Sequence, residues 1–256
     1  MSTIWKADGL VPTRSENLDR YKLNFLKQAV CELRFPTLME LGDSRPPAAM
    51  VAALRKEYPH LELANQVTIG IGAATGSSNA HIFRSSKLNW TVSLNQSSLS
   101  IETTSYPGYP QMRERILRVV DAAAKVIDSD FFTRVGLRYI NVINVDEDPS
   151  DGWINPELVQ PILSRQFTGI QECAGRLQLL AEDGGCLLQH GIRLKQPARD
   201  GKALPPEYLI DIDSFRNEVA LSDTAAALDV MHSQVFDIFD WSLDGKARDY
   251  LSKGAS

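Results

Sequence analysis

The sequence has few cysteines, no long apolar run and no signal pattern at its start. Its three cysteines, Cys31, Cys173 and Cys186, are widely spaced and form no CxxC pair. This spacing argues against a disulfide framework and against a zinc site, and it suits a reducing cytosol. No apolar stretch approaches the roughly 20 residues that a membrane-spanning helix needs. We therefore expect a cytoplasmic protein with no transmembrane segment and no bound metal.

The sequence also lacks an excess of positive charge. The chain carries 27 Lys and Arg residues against 32 Asp and Glu residues, a formal net charge of −5, with an isoelectric point near 5.4. A general nucleic-acid-binding protein needs a basic surface, so this balance argues against that class. A local basic patch remains open.

Motifs of the common enzyme classes are missing. There is no GxSxG, no Walker loop and no pair of histidines at the spacing of a helical metal site. The four histidines, His60, His81, His190 and His232, are scattered along the chain. Because catalytic triads assemble from distant positions, these absences favour a non-enzymatic protein without excluding an enzyme. We expect no cofactor.

The patterns that are present indicate an α+β protein. With 256 residues and 43% hydrophobic composition the chain can bury a large core. Residues 131–145 are rich in β-branched and aromatic residues, which predicts a long central strand. Apolar residues at helical spacing predict two long helices, at 111–127 and 228–243. Asn155 followed by Pro156 is typical of a helix start, and Gly184–Gly185 indicates a hairpin turn.

The predicted elements repeat in the same order. After an irregular arm at residues 1–24, residues 25–128 and 129–256 each give strand, helix, three strands and a long helix. Leu33-Arg34-Phe35 matches Leu137-Arg138-Tyr139, and Pro47 matches Pro156 at a helix start. We predict an internal duplication of a β-α-β-β-β-α unit, with antiparallel sheets packed against two long helices. Alternatively, the order is what many α+β proteins share.

Charged and polar side chains on two predicted strands form the candidate site. Alternation places Arg134 and Arg138 on one face of the central strand, and Tyr139 and Asn141 on the other. Asp211 and Asp213 share one face of the strand 208–215. A guanidinium and a carboxylate can pair bidentately, so we expect the face that carries Arg134 and Arg138 to meet Asp211 and Asp213, either as a structural pairing or as a ligand site.

The segment RVGLRYIN, residues 134–141, resembles the strand motif R-x-GLRYIN of a sporadically distributed, largely uncharacterised bacterial family. The segments AVCELRF (29–35) and LIDIDSF (209–215) extend the resemblance, which covers roughly residues 25–243. It implies an accessory gene of the kind found in phage-defence or toxin–antitoxin loci, and it implies no catalytic residues.

Two functions follow as expectations. The first is a non-enzymatic recognition or sensor protein of an anti-phage system, with a partner encoded nearby. The molecule that it recognises could be a trigger derived from phage, and the chain could also form a homodimer. The second is an enzyme or binding protein for a small anionic or phosphorylated ligand, held by the Arg/Asp cluster.

Overall fold

The computed structural model describes residues 3–70, 73–193 and 205–253, and of residues 65–70 and 73–78 the backbone only. The described chain is α+β. Its strands are β1 (Leu26–Arg34), β2 (His60–Gly70), β3 (Ala73–Arg84), β4 (Trp90–Leu94), β5 (Ser98–Thr103), β6 (Phe131–Ile143), β7 (Glu172–Ala181), β8 (Gly184–Arg193) and β9 (Glu207–Ala220). Its helices are α1 (Ala48–Leu54), α2 (Tyr109–Ala124), α3 (Pro156–Leu163), α4 (Thr224–Trp241) and α5 (Gly245–Lys253).

The nine strands form one antiparallel sheet in the order β2-β3-β4-β5-β1-β6-β9-β8-β7. The sequence predicted more than one antiparallel sheet, whereas the described strands form a single sheet. The first half also contains one strand more than the predicted unit, because residues 81–95 belong to two strands. Strand β3 ends at Arg84, and a turn in which Leu88 has a positive φ of 56° leads into β4.

The β7–β8 hairpin is present, but its turn differs from the predicted one. The pairing runs from Glu172 opposite Arg193 to Ala181 opposite Gly184, which leaves Glu182 and Asp183 as the turn. Gly184 and Gly185 are the first residues of β8. The glycines therefore follow the turn, and a carboxylate pair stands at its tip.

The helices predicted at 111–127 and 228–243 run instead over Tyr109–Ala124 and Thr224–Trp241, whereas one predicted helix cap and the buried faces agree with the sequence. The Asn155 side chain accepts a hydrogen bond from the Glu157 backbone N–H at 3.0 Å, and Pro156 opens α3, so this predicted cap is confirmed. The predicted apolar stripes are buried on α2 (Met112, Ile116, Val119, Val120 and Ala123) and on α4 (Leu228, Met231, Val235, Ile238 and Phe239). Trp241, at the C-terminal end of α4, is 38% exposed.

The chain divides into two compact units that share β6, β9 and α4. Unit 1 contains the described residues of Met1–Thr3, Gln28–Leu137 and Phe215–Asp229. Unit 2 contains the described residues of Ile4–Lys27, Arg138–Ser214 and Val230–Ser256. The N-terminal arm, for which we use residues 4–24, therefore belongs to unit 2. The candidate site residues are divided between the units, and each unit is described by itself below.

Candidate functional site

Arg138 of unit 2 makes a close, bidentate ion pair with Asp211. Its Nε lies 2.7 Å from Asp211 Oδ1 and its Nη2 lies 2.5 Å from Asp211 Oδ2. The Asp211 side chain is only 9% exposed, whereas the Arg138 side chain is 45% exposed. The hydrogen bond to Asp211 and the charges of Asp211 and Asp213 raise the pKa of Arg138. The guanidinium is thus held by a carboxylate on the face where a ligand anion was expected.

Arg134, in unit 1, pairs with a carboxylate on a different strand. Its Nη1 lies 3.3 Å from Glu32 Oε1, and its guanidinium carbon lies 4.7 Å from the centre of the Phe215 ring. A Cβ on Gly136 would come within 2.7 Å of Arg134 Nη1, so glycine at this position leaves room for the guanidinium. This arrangement combines an ion pair with a cation–π contact and supports β6 within unit 1.

Tyr139 and Asn141 lie on the opposite, buried face of β6, as alternation predicts. The Tyr139 hydroxyl lies 3.1 Å from Nδ1 of His232, whose Nε2 lies 3.3 Å from Asp19 Oδ1. The Asn141 amide donates to the Ile210 carbonyl at 3.4 Å. The structure therefore brings Arg138 and Asp211 together, and it places Tyr139 and Asn141 in core contacts on the other face.

We expect Arg138→Ala to lower the free energy of unfolding by about 2 kcal/mol, because the nearly buried Asp211 carboxylate loses its bidentate donor. Arg138→Ala combined with Asp211→Asn should recover part of this loss, since the neutral amide needs no counter-charge. Chemical denaturation of the wild type, the two single variants and the double variant measures the coupling. Additive losses would show that the two side chains contribute independently.

A cavity in unit 2 was not predicted from the sequence. It has a volume of about 340 Å³ and lies between residues 10–15 of the arm, the β7–β8 hairpin, the C-terminal part of α4 and one residue of α5. Its apolar walls are formed by Leu10, Val11, Pro12, Leu177, Leu179, Leu188, Ile238 and Trp241. Ligand sites in proteins are commonly concave, largely apolar and of roughly 300–1,000 Å³. The cavity has this character.

The arm is fixed on both sides of the cavity. Before it, the backbone N–H groups of Lys6 and Ala7 donate to Asp183 at the tip of the β7–β8 turn, the second at 2.9 Å. The side-chain amide of Gln234 on α4 also donates to the Ala7 carbonyl at 2.8 Å. At its other end, Arg14 and Ser15 of the arm, which also line the cavity, bind Asp237 and Asp240. Residues 10–13 thus cross the cavity between two fixed ends.

Two aspartates of α4 hold the second end. Asp237 accepts from Arg14 Nη1 at 2.7 Å and from the Ser15 backbone N–H at 2.8 Å. Asp240 accepts hydrogen bonds from four side chains: Ser15, Asn17, Tyr21 and Arg248. Burial and the hydrogen bond to Asp240 raise the pKa of Tyr21. Both carboxylates therefore make hydrogen bonds that hold the arm and α5 against α4.

One sequence signal points to this arrangement. Asp237 and Asp240 stand within the apolar segment of α4 and are 5% and 8% exposed. Buried carboxylates need partners, so two acids beside a buried stripe predict donors from elsewhere in the chain. The pattern does not identify the arm as their source.

Comparisons of the sequence with models of protein families and with curated proteins give no match. Among the residues that the structure describes, no group of three or more His, Cys, Asp or Glu side chains is placed to hold a metal ion. No helix within the described ranges is long and apolar enough to cross a membrane.

Proposed function

We propose that the chain is a non-enzymatic recognition component of a bacterial anti-phage system and acts with a protein encoded by a neighbouring gene. The observation that carries the proposal is the unit 2 cavity, a partly open and mostly apolar volume of about 340 Å³ whose walls come from the arm, β7, β8, α4 and α5. Its charged side chains are bound to one another, as expected of a site that holds a ligand rather than one that transforms it.

The hydrogen bonds that hold the N-terminal arm against α4 and the β7–β8 turn also support a sensor role. A ligand in the cavity would contact residues 10–13 directly, and these residues are connected to α4 and to the β7–β8 turn. Binding that favours one arrangement of the arm can therefore change the surface offered to a partner. The trigger in this proposal is derived from phage, the protein works in the cytoplasm, and a homodimer is one form the partner contact can take.

A second candidate is an enzyme or binding protein for a small anionic or phosphorylated ligand at Arg138. The favouring observation is that 45% of the Arg138 side chain is exposed although Arg138 lies in a largely buried strand. Against this, Asp211 already binds two of the guanidinium nitrogens. An anion would have to compete with that carboxylate, so the cavity is the stronger candidate.

We also propose that the chain arose by internal duplication. Outward from β1 the sheet order is β1-β5-β4-β3, and outward from β6 it is β6-β9-β8-β7. In each half, the strand that opens it therefore pairs with the strand that precedes the long helix. Strand β2 is the additional strand of the first half. The helices α2 and α4 each follow the last strand of their half in chain order.

Phage challenge of a deletion strain complemented with cavity variants tests the function. Leu177 lines the cavity and is 47% exposed, so we expect a Trp side chain to fit there without unfolding the protein and to fill part of the cavity. We expect Leu177→Trp to raise the plaque count to that of the deletion strain. Leu180→Trp is the matched control, because Leu180 is 60% exposed on the same strand and is not part of the cavity wall. Full protection by Leu177→Trp, with normal expression, would reject the proposal.

A further inference from the structure

The charges around the unit 2 cavity are internally balanced. Two basic residues, Arg14 and Arg248, and two acidic residues, Asp237 and Asp240, contribute to its wall. Arg14 pairs with Asp237 at 2.7 Å, and Arg248 approaches Asp240 at 3.4 Å. An anionic ligand could bind only by breaking the ion pair between an arginine and its aspartate. A cationic ligand could bind only by displacing the arginine from that aspartate. The site therefore discriminates against ions of either sign.

The carboxylates have further partners that a ligand would disturb. Arg248 Nη2 donates to the Asp240 carbonyl at 2.7 Å, so this guanidinium is held at two points. The Ser15 hydroxyl donates to Asp240 at 3.0 Å. Breaking either pair would leave a carboxylate that is 5% or 8% exposed without part of its hydrogen bonding.

The remaining wall is mostly apolar, with Thr13 and Ser15 of the arm as its polar members. Leu10, Val11 and Pro12 form the arm side, and Leu177, Leu179 and Leu188 form the hairpin side. Trp241 lines the cavity and keeps 38% of its surface exposed, so an indole ring is available for contact with a ligand. Apolar ligand surface transferred from water into such a volume is stabilised, and a ring can pack against the indole.

We infer that the cavity binds an uncharged small molecule whose surface is mostly apolar. This inference deepens the proposed function and rests on it for the ligand's biological role. The ligand's chemistry follows from the wall alone. The volume of about 340 Å³ sets the approximate size of the ligand, and residues 10–13 of the arm line one side of the site.

Two dyes with the same ring system test the charge selectivity. N-phenyl-1-naphthylamine is neutral, and 1-anilinonaphthalene-8-sulfonate adds one negative charge to the same rings. Both gain fluorescence in an apolar site, so titration of the full chain with each gives a dissociation constant. We expect saturable binding of one neutral dye per chain, with the sulfonate bound at least about tenfold more weakly because of the paired charges.

Leu177→Trp should weaken the binding of the neutral dye by about tenfold or more, because the added ring occupies the cavity. Leu180→Trp should bind it as the wild type does. Equal affinity for the two dyes, equal loss in both variants, or absence of neutral-dye binding would overturn the inference.

The failures of the two proposals are distinguishable. If Leu177→Trp protects against phage fully while the dye results hold, the function fails and the ligand class stands. If the dye results fail while Leu177→Trp abolishes protection, the ligand class fails alone.

Discussion

Asp240→Ala should loosen the second end of the N-terminal arm, which Asp237 alone would then hold, and lower the free energy of unfolding by about 3 kcal/mol. The change removes a carboxylate that is 8% exposed and accepts hydrogen bonds from Ser15, Asn17, Tyr21 and Arg248. For a chain of this size the loss corresponds to a fall in melting temperature of about 6–12 °C. Thermal unfolding followed by circular dichroism measures it.

Cysteine labelling shows whether the arm itself has moved. Cys186 lines the cavity under the arm and is 1% exposed, so native protein should label there only slowly. Asp240→Ala should speed alkylation of Cys186 by iodoacetamide. Cys31 is the internal control, because burial raises the pKa of its thiol to about 12 and the thiolate is the reactive form.

Asp249→Ala is the matched variant for this prediction. Asp249 lies on α5 and is exposed, so the same chemical change should alter stability by less than about 0.5 kcal/mol. Equal melting temperatures for Asp240→Ala and Asp249→Ala, with Cys186 still protected, would mean that Asp240 does not hold the arm.

Phe239→Ala should be as damaging as the loss of Asp240, for a different reason. Phe239 is 9% exposed on α4, and its ring lies 6.2 Å from that of Phe236 in an edge-on arrangement. Truncation of a buried phenylalanine removes apolar contact and leaves a void, which together lower the free energy of unfolding by about 3–5 kcal/mol. Denaturant unfolding should show a lower midpoint with an unchanged slope.

Phe167→Ala provides the comparison, because Phe167 is 64% exposed. Its loss should change the free energy of unfolding by no more than about 0.5 kcal/mol. If Phe239→Ala unfolds at the wild-type midpoint, this face of α4 does not contribute to the core of unit 2.

Local patterns in the sequence were sufficient for much of the fold. The Asn155 cap, the apolar stripes of α2 and α4 and the alternation along β6 depend on neighbours within a few residues, so one sequence reveals them. The additional strand of the first half depends on a turn in which the non-glycine residue Leu88 takes a positive φ, and side-chain patterns carry little information about that. The full burial of Arg216 in β9, at 0% exposure, could not be predicted either, because arginine side chains are rarely buried.

Of the contacts in the candidate site, only the ion pair between Arg138 and Asp211 was predicted from the sequence. Arg138 and Asp211 were recognised because each stands out on an apolar strand, and alternation gave their faces. Arg134 meets Glu32, which is 102 residues away in the chain and carries no distinguishing pattern. The cavity depends on the arm folding back onto α4, with Arg14 and Asp237 separated by 223 residues, and no local pattern encodes that return.

The central claim is that an uncharged apolar ligand binds in the cavity under the arm. Titration of methyl-labelled protein with N-phenyl-1-naphthylamine, followed by NMR, tests it most directly. The account predicts that chemical shifts change at the methyl groups of Leu177, Leu179, Leu188 and Ile238, while Leu33 and Leu99 in the core of unit 1 stay constant. Shift changes spread over exposed leucines such as Leu61 and Leu180, with none at the cavity methyls, would contradict it.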